Sequence, residues 1–175
     1  MSRIELIEAT LERKSVLRQL IELYEYDFSE FNGEDVNEFG RYDYKYLDHY
    51  WTDEGRHPFF IMVDGAYAGF VLINSHSYVL TSGQARSVAE FFVMRKYRRG
   101  GVGREAARLV FDRFPGEWEV RQHGDNLPSQ AFWERVIGEY TEGRYRKLAV
   151  ETESWQGQGI IFDNSLGNLS PGVSV

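Results

Sequence analysis

The fold is decided by the stretch Phe91-Phe92-Val93-Met94-Arg95-Lys96-Tyr97-Arg98-Arg99-Gly100-Gly101-Val102-Gly103, which lies just past the middle of the chain. Its apolar run ends at Met94, as in a strand that is buried on both faces. Five cationic side chains, three glycines and no acidic residue follow between Arg95 and Arg104. Apolar residues then recur at helical spacing, so the stretch predicts a strand, a basic glycine-rich turn and a helix.

The basic turn has the features of a site for a phosphate-bearing ligand. N–H groups at a helix start, with the positive end of the helix dipole, attract anions, and glycine lets backbone approach a ligand closely. A solvated basic turn without function is one alternative. A dinucleotide-binding loop is another, since residues 101–106 fit G-x-G-x-x-A. That motif belongs after an early strand of a βαβ unit, whereas here it follows a predicted strand meander.

Length and composition favour one folded domain over residues 1–175, with a substantial core. The chain is 42% hydrophobic and 15% aromatic, and its net charge of -7 argues against nucleic acid as a partner. It has no cysteine, and its four histidines show no ligand-like spacing, so no metal site is expected. Without a long apolar run or a signal-peptide pattern, we expect a cytoplasmic protein with no membrane partner. A homodimer is compatible with the sequence.

Strand and helix patterns alternate along the chain. The expected elements are a strand over 4–8, a helix from Leu11 capped by Thr10, a short helix within 44–51, a hairpin of 59–63 and 66–73 around Asp64-Gly65, a strand over 85–94, a helix over 101–114, a strand over 118–121 parallel to the one before it, a helix capped by Asn126, and strands over 145–151 and 159–162. The tail over 164–175 is expected to be flexible.

Two motifs carry a resemblance to a known family. The segment 98–103, Arg98-Arg99-Gly100-Gly101-Val102-Gly103, resembles the Arg/Gln-x-x-Gly-x-Gly/Ala loop of the GNAT superfamily of N-acetyltransferases. The segment Asn126-Leu127-Pro128-Ser129-Gln130-Ala131-Phe132-Trp133 is similar to the family's Asn-x-x-Ala-x-x-aromatic segment, with serine in place of alanine. The order of elements fits the family over nearly the whole chain. The resemblance implies an α/β (α+β) fold with a mixed, mostly antiparallel central sheet flanked by helices, and a V-shaped splay between the strands of Met94 and Trp118.

The resemblance also implies an activity and a cosubstrate. The protein would be an acetyl-CoA-dependent N-acetyltransferase that acylates a primary amine by direct attack, without a metal. A noncatalytic acyl-CoA-binding module on the same fold is the alternative. The residues expected to bind acetyl-CoA are Phe92, Val93, Met94, Arg98, Arg99, Gly100, Gly101, Val102, Gly103, Arg104, Asn126 and Trp133.

Glu90 is the predicted general base. Its neighbours in the strand are apolar, and burial raises the pKa of a carboxyl toward the value that a base needs near neutral pH. A salt bridge or an exposed edge position is the structural alternative. Some relatives instead carry a glutamate at the position of Ser87. The amide of Val93 or Met94 could stabilise the oxyanion.

Trp133 stands where relatives carry a tyrosine that protonates the leaving thiolate. Indole cannot give up a proton at accessible pH, so we expect no essential tyrosine acid. Tyr140 and Tyr145 are the alternative acids. The tyrosine-rich, acidic segment 24–51 is either a cover over the sheet or the wall that binds a cationic acceptor. In the second case Tyr24, Asp27 and Tyr44 would contact the small-molecule or peptide amine.

Overall fold

The computed structural model describes residues 1–165 of the chain. Seven strands form one mixed, mostly antiparallel sheet in the order β1-β2-β3-β4-β5-β7-β6, which confirms the predicted fold class. The strands are β1 (Ile4–Glu8), β2 (His57–Val63), β3 (Ala66–Asn74), β4 (Arg86–Val93), β5 (Glu117–His123), β6 (Arg146–Glu151) and β7 (Gln156–Asp163). The helices are α1 (Lys14–Asn32), α2 (His49–Thr52), α3 (Val102–Arg113) and α4 (Leu127–Thr141).

The chain divides into two compact units. The first consists of Met1–Ile73 and Ala89–Ala106, and the second of Asn74–Val88 and the chain from Ala107 on. The boundary between them therefore falls inside β4 and again inside α3. The expectation of a single domain over 1–175 stays a prediction.

The first unit contains β1, β2, β3 and the end of β4 that carries the predicted site. The predicted hairpin turns at Asp64 and Gly65, whose φ angles of 49° and 80° suit a two-residue turn with both residues left-handed. Its core packs α1 and α2 against the strands and is formed by Ala9, Leu17, Leu20, Ile21, Leu47, Tyr50, Phe60, Met62, Phe70, Leu72 and Phe92.

The second unit contains the start of β4, together with β5, α4 and the β6–β7 hairpin. β4 and β5 run parallel and pair at Arg86 with Trp118 and at Ser87 with Glu119, as a connection through a helix predicts. The core of this unit is aromatic, with the Phe111 ring 5.0 Å from that of Trp118. The predicted splay of these strands beyond the pairing stays a prediction.

Three local expectations differ from the structure. Thr10 makes no side-chain cap bond, because a 3-10 turn over Leu11–Arg13 precedes α1, which begins at Lys14. The second helix within 44–51 is reduced to α2. Asn164 is buried at 8% exposure, and its side chain bonds the Phe111 carbonyl and the Gly116 amide, both at 2.8 Å. Most of the predicted tail, residues 166–175, lies outside the described residues.

Within residues 1–165, no helix combines the length and the apolar character needed to cross a membrane.

Candidate active site

Glu90 is the centre of a cluster of phenols in the first unit. The Tyr24 hydroxyl on α1 donates a hydrogen bond to its Oε2, and the Tyr44 hydroxyl donates to its Oε1 at 3.3 Å. Both tyrosines were predicted to lie on the acceptor side, and Glu90 was predicted as the base. The structure brings the three side chains together across 66 and 46 residues of sequence.

The carboxyl of Glu90 titrates near neutral pH. Burial raises its pKa to about 7, and the neighbouring charge of Glu25 adds to the rise. The hydrogen bonds from Tyr24 and Tyr44 lower the pKa because they stabilise the ionised form. Glu90 is only partly buried, so water can reach it. These properties suit a group that takes up a proton at physiological pH.

Aromatic packing fixes the Tyr24 hydroxyl on Glu90. The Tyr24 ring stacks on Phe28 with centroids 5.8 Å apart, and it meets Phe70 and Phe92 edge-on at 5.6 and 5.8 Å. Burial, followed by the negative charge of Glu90, raises the pKa of Tyr24 well above its usual value. The phenol therefore stays protonated and acts as a hydrogen-bond donor.

Glu25 is an acid that sequence reasoning did not select as a site residue. It lies next to Tyr24 on α1 and is partly buried. Burial, followed by the charges of Glu34 and Glu22, raises its pKa to about 7. Its adjacency to Tyr24 in a 24–51 segment rich in acids was the only sequence signal. Glu22 lies one helical turn before it on α1, and Glu34 follows the end of that helix.

The end of β4 presents a defined set of backbone groups. A Cβ added to Gly69 on β3 would lie 1.9 Å from the Phe92 carbonyl oxygen, so glycine is required for this close approach. The Met94 N–H donates to the Ala68 carbonyl at 2.8 Å. Because N–H groups of consecutive strand residues point to opposite sides, the Val93 N–H points away from β3. The Met94 N–H is therefore already paired, and the role of either amide as an oxyanion donor stays a prediction.

Arg98 folds back onto the strand that precedes it. Its Nε donates to the Val93 carbonyl at 2.6 Å, and its Nη2 pairs with Asp27 Oδ2 at 2.6 Å. Arg95 Nη2 pairs with the other Asp27 oxygen at 2.8 Å. Burial alone would raise the pKa of Asp27, but the two guanidinium groups outweigh it and hold that pKa below its usual range. The predicted contacts of Asp27 with the acceptor and of Arg98 with pyrophosphate stay predictions.

The glycines of the loop leave room for a ligand. A Cβ built on Gly100 or on Gly101 meets no atom within 4 Å. Gly101 has a φ of 82°, and Arg99 is held in the same left-handed region at 65°. That conformation costs free energy for a residue with a side chain, and such strain concentrates at functional sites.

The loop leads directly into the first turn of α3. Val102, Gly103 and Arg104 form this turn, and the Glu105 N–H donates to the Gly101 carbonyl at 3.0 Å. An α-helix supplies no acceptors of its own for the N–H groups of its first turn. These residues therefore occupy the position at which a helix binds an anion.

The other predicted cofactor residues lie in the second unit. Asn126 caps α4, as predicted, and its side chain accepts the Ser129 N–H at 3.1 Å. Trp133 is buried, with its ring 6.3 Å from that of Phe111. Their contacts with a cofactor stay predictions.

Both alternative acids, Tyr140 and Tyr145, lie in the second unit, and the expectation that neither is an essential acid stays a prediction. The Tyr140 hydroxyl donates to Asp112 at 2.9 Å and accepts from Asn164 at 3.0 Å. Burial, followed by the bond to Asp112, raises the pKa of Tyr140 to about 12. Tyr145 lines an open cavity of about 430 Å³ beside Arg144 and Arg146. None of the residues predicted to bind acetyl-CoA, and not Glu90, lines that cavity.

Glu119 is a buried acid whose role the sequence did not reveal. Its carboxylate accepts bonds from the Ser77 hydroxyl, from the backbone N–H groups of 78–80 and from Arg121. Burial opposes ionisation, but these donors prevail and lower the pKa of Glu119 to about 2. Ser87, opposite Glu119 in the sheet, bonds the His76 carbonyl at 2.6 Å. Glu119 is thus a permanently charged anchor for the β3–β4 loop and is unsuited to act as a base.

No group of three or more His, Asp or Glu side chains in residues 1–165 is arranged to hold a metal ion.

Solved structures share this fold. An acetyltransferase from Thermus thermophilus superposes with a TM-score of 0.67, at 14% identity, over 91% of this chain and 96% of its own. Aminoglycoside acetyltransferase AAC(6')-Ib in complex with ribostamycin and coenzyme A gives 0.65, at 14% identity, over 98% and 99%. The ribosomal-protein-S18-alanine N-acetyltransferase from Escherichia coli gives 0.58, at 13% identity, over 100% and 99%.

The search of curated proteins finds no match. A family model, by contrast, matches residues 18–138, which is more than half of the chain and includes Glu90 and the glycine loop. On this match, the chain belongs to the acetyltransferase (GNAT) family.

Proposed function

We propose that this protein is an acetyl-CoA-dependent N-acetyltransferase that acylates a primary amine of a cationic small molecule or peptide. The observation that carries the proposal is the Glu90 carboxylate, which is bonded by two phenols and has a pKa of about 7. It lies on the strand that leads into the glycine loop, so a base and an anion site occur in one unit.

Glu90 acts as the general base. An alkyl ammonium has a pKa of about 10.4 and must lose a proton before its nitrogen can attack. The ionised Glu90 takes up that proton, directly or through a water molecule, while Tyr24 and Tyr44 hold the carboxylate in place. The nitrogen then attacks the acyl carbonyl without a covalent enzyme intermediate. The tetrahedral adduct collapses with cleavage of the C–S bond, which gives the amide and the CoA thiolate, and water protonates that thiolate.

The Val93 N–H stabilises the negative charge that develops on the carbonyl oxygen. The Met94 N–H is already committed to Ala68, whereas the Val93 N–H points to the other side of β4. Removal of one preorganised oxyanion donor costs roughly 3–4 kcal/mol of transition-state stabilisation where a side chain supplies it, and a backbone N–H acts in the same way.

The residues of the loop fit the pyrophosphate of acetyl-CoA, which supplies the activated acetyl thioester. Gly100 and Gly101 leave open space at the turn, and the first turn of α3 follows directly. Arg99 and Lys96 are exposed cations beside this space. Backbone and side chains together can therefore hold a doubly charged anion.

A cationic acceptor is supported by the charges near Glu90. Burial raises the pKa of both Glu25 and Glu90 to about 7, and like charges add to each rise: Glu34 and Glu22 act on Glu25, and Glu25 acts on Glu90. A positively charged ligand would relieve this repulsion. Opposite charge would also speed encounter with the acceptor.

The test is an amine panel incubated with acetyl-CoA and the purified protein, read as released CoA thiol. The panel includes polyamines, aminoglycosides and peptides with a free amino terminus. Turnover that Glu90→Gln abolishes supports the proposal. CoA binding without turnover of any amine would instead identify a noncatalytic acyl-CoA-binding module. A melting temperature that rises with NAD but not with CoA would refute both.

A further inference from the structure

Tyr50 on α2 carries a buried hydroxyl that no hydrogen bond satisfies. The residue is 4% exposed, and its ring belongs to the core of the first unit. Its hydroxyl has no hydrogen-bond partner within residues 1–165. Tyr44 and Arg56 are its polar neighbours, but neither reaches hydrogen-bonding geometry.

This arrangement is unfavourable for stability. A buried polar group without a partner costs free energy, and most such groups in native proteins are paired. Phenylalanine would fill the same volume without that cost. An unpaired phenol in a core position therefore points to a role outside folding.

The hydroxyl lies beside the proposed reaction centre. The negative charge of Glu90 acts on Tyr50, and Tyr44, the polar neighbour of Tyr50, is itself hydrogen-bonded to Glu90 at 3.3 Å. Through Tyr44, the Tyr50 hydroxyl thus belongs to the group of phenols around Glu90.

Charge near Tyr50 restricts what the hydroxyl can bind. The guanidinium carbon of Arg56 lies 5.5 Å from the centroid of the Tyr50 ring, which disfavours a second ammonium group there. A phenol donates one hydrogen bond and accepts others, so a ligand hydroxyl matches it in both roles.

We propose that the Tyr50 hydroxyl binds a hydroxyl group close to the reacting amine, and that the acceptor is therefore a hydroxylated primary amine such as an amino alcohol or amino sugar. This inference rests on the proposed function and names the substrate class of the same site. Tyr50 contributes to acceptor binding and takes no part in proton transfer.

The experiment compares amines that differ by one hydroxyl or more. Ethanolamine is paired with propylamine, and glucosamine with cyclohexylamine, using wild type, Tyr50→Phe and the control Tyr26→Phe, whose hydroxyl is exposed on α1. Wild type and control should prefer the hydroxylated member by about 3–10-fold in kcat/KM, mainly through KM. Tyr50→Phe should lose this preference, keep its activity on the deoxy member, and melt at the same or a higher temperature than wild type.

Each of the remaining outcomes would contradict the inference. A preference that survives in Tyr50→Phe, or equal turnover of both members by wild type, overturns the inference. So does a lower melting temperature of Tyr50→Phe, which would show that the hydroxyl has a structural partner. Turnover confined to amines without a hydroxyl overturns the inference while the proposed function stands. If no amine of either panel releases CoA thiol, the proposed function fails, and the inference fails with it.

Discussion

Asp27 on α1 pairs with Arg98 in the loop, with 2.6 Å between Oδ2 and Nη2. One turn earlier on the same helix, Tyr24 donates to Glu90. A single helical face therefore holds both the proposed base and the arginine that bonds the Val93 carbonyl. Replacing Asp27 should therefore change the stability of the protein, whereas replacing Tyr24 should change the pH profile of catalysis.

Asp27→Asn should destabilise the protein by about 0.5–1 kcal/mol, because a partly buried carboxylate that pairs with two solvent-exposed guanidinium groups is lost. The folded state holds the pKa of Asp27 below its usual range. Its contribution is therefore present above the unfolded-state pKa of about 3.9 and is lost as pH falls through the lower folded-state value. Urea unfolding at pH 7 and pH 3 measures the difference from wild type. An equal difference at both pH values would contradict this account, and Asp53→Asn is the exposed control.

Glu90→Gln should lower kcat by about 10²–10⁴-fold, because the amide cannot accept the proton from the amine. In wild type, kcat/KM should fall as pH drops below the Glu90 pKa of about 7, since the base becomes protonated. The variant should lack this acidic limb. A decrease under threefold in a folded variant would remove Glu90 from the mechanism.

Tyr24→Phe and Tyr44→Phe should move the acidic limb of the pH profile upward. Each phenol stabilises the ionised carboxylate, so its removal raises the pKa of Glu90 further. The shift should be larger for Tyr24→Phe, whose hydrogen bond lowers that pKa more than the bond from Tyr44 does. The measurement is kcat/KM against pH with one acceptor, with Tyr26→Phe as control. A downward shift in either variant would show that the phenols act differently.

Gly100→Ala should leave folding intact but weaken CoA binding at least tenfold. A Cβ at this position meets no protein atom within 4 Å, so the folded protein should tolerate alanine. A pyrophosphate bound against the loop would clash with that Cβ. Gly101→Ala is the contrasting variant, since its φ of 82° makes alanine strained even without ligand. Calorimetric titration with CoA and thermal unfolding separate the two effects. Unchanged CoA affinity in Gly100→Ala would exclude close approach at this glycine.

Signals that act over a few residues were sufficient to predict most of the fold. Asp64-Gly65 fixed the hairpin, Asn126 fixed the start of α4, and the run into Met94 predicted the strand before the loop. The apolar neighbours of Glu90 likewise indicated a raised pKa. Thr10 shows the limit of such signals, because a 3-10 turn intervened between the cap residue and the helix.

Patterns of neighbouring residues were enough to predict most of the elements and to select the basic loop and Glu90 as candidates. The groups that surround these residues follow from tertiary packing. In the folded protein Asp27 forms an ion pair with Arg98, and the Met94 N–H bonds Ala68 while the Val93 N–H points to the other side of β4. The Tyr50 hydroxyl is left unpaired near Glu90. Such contacts join residues tens of positions apart, and their geometry is fixed by packing that local patterns do not encode.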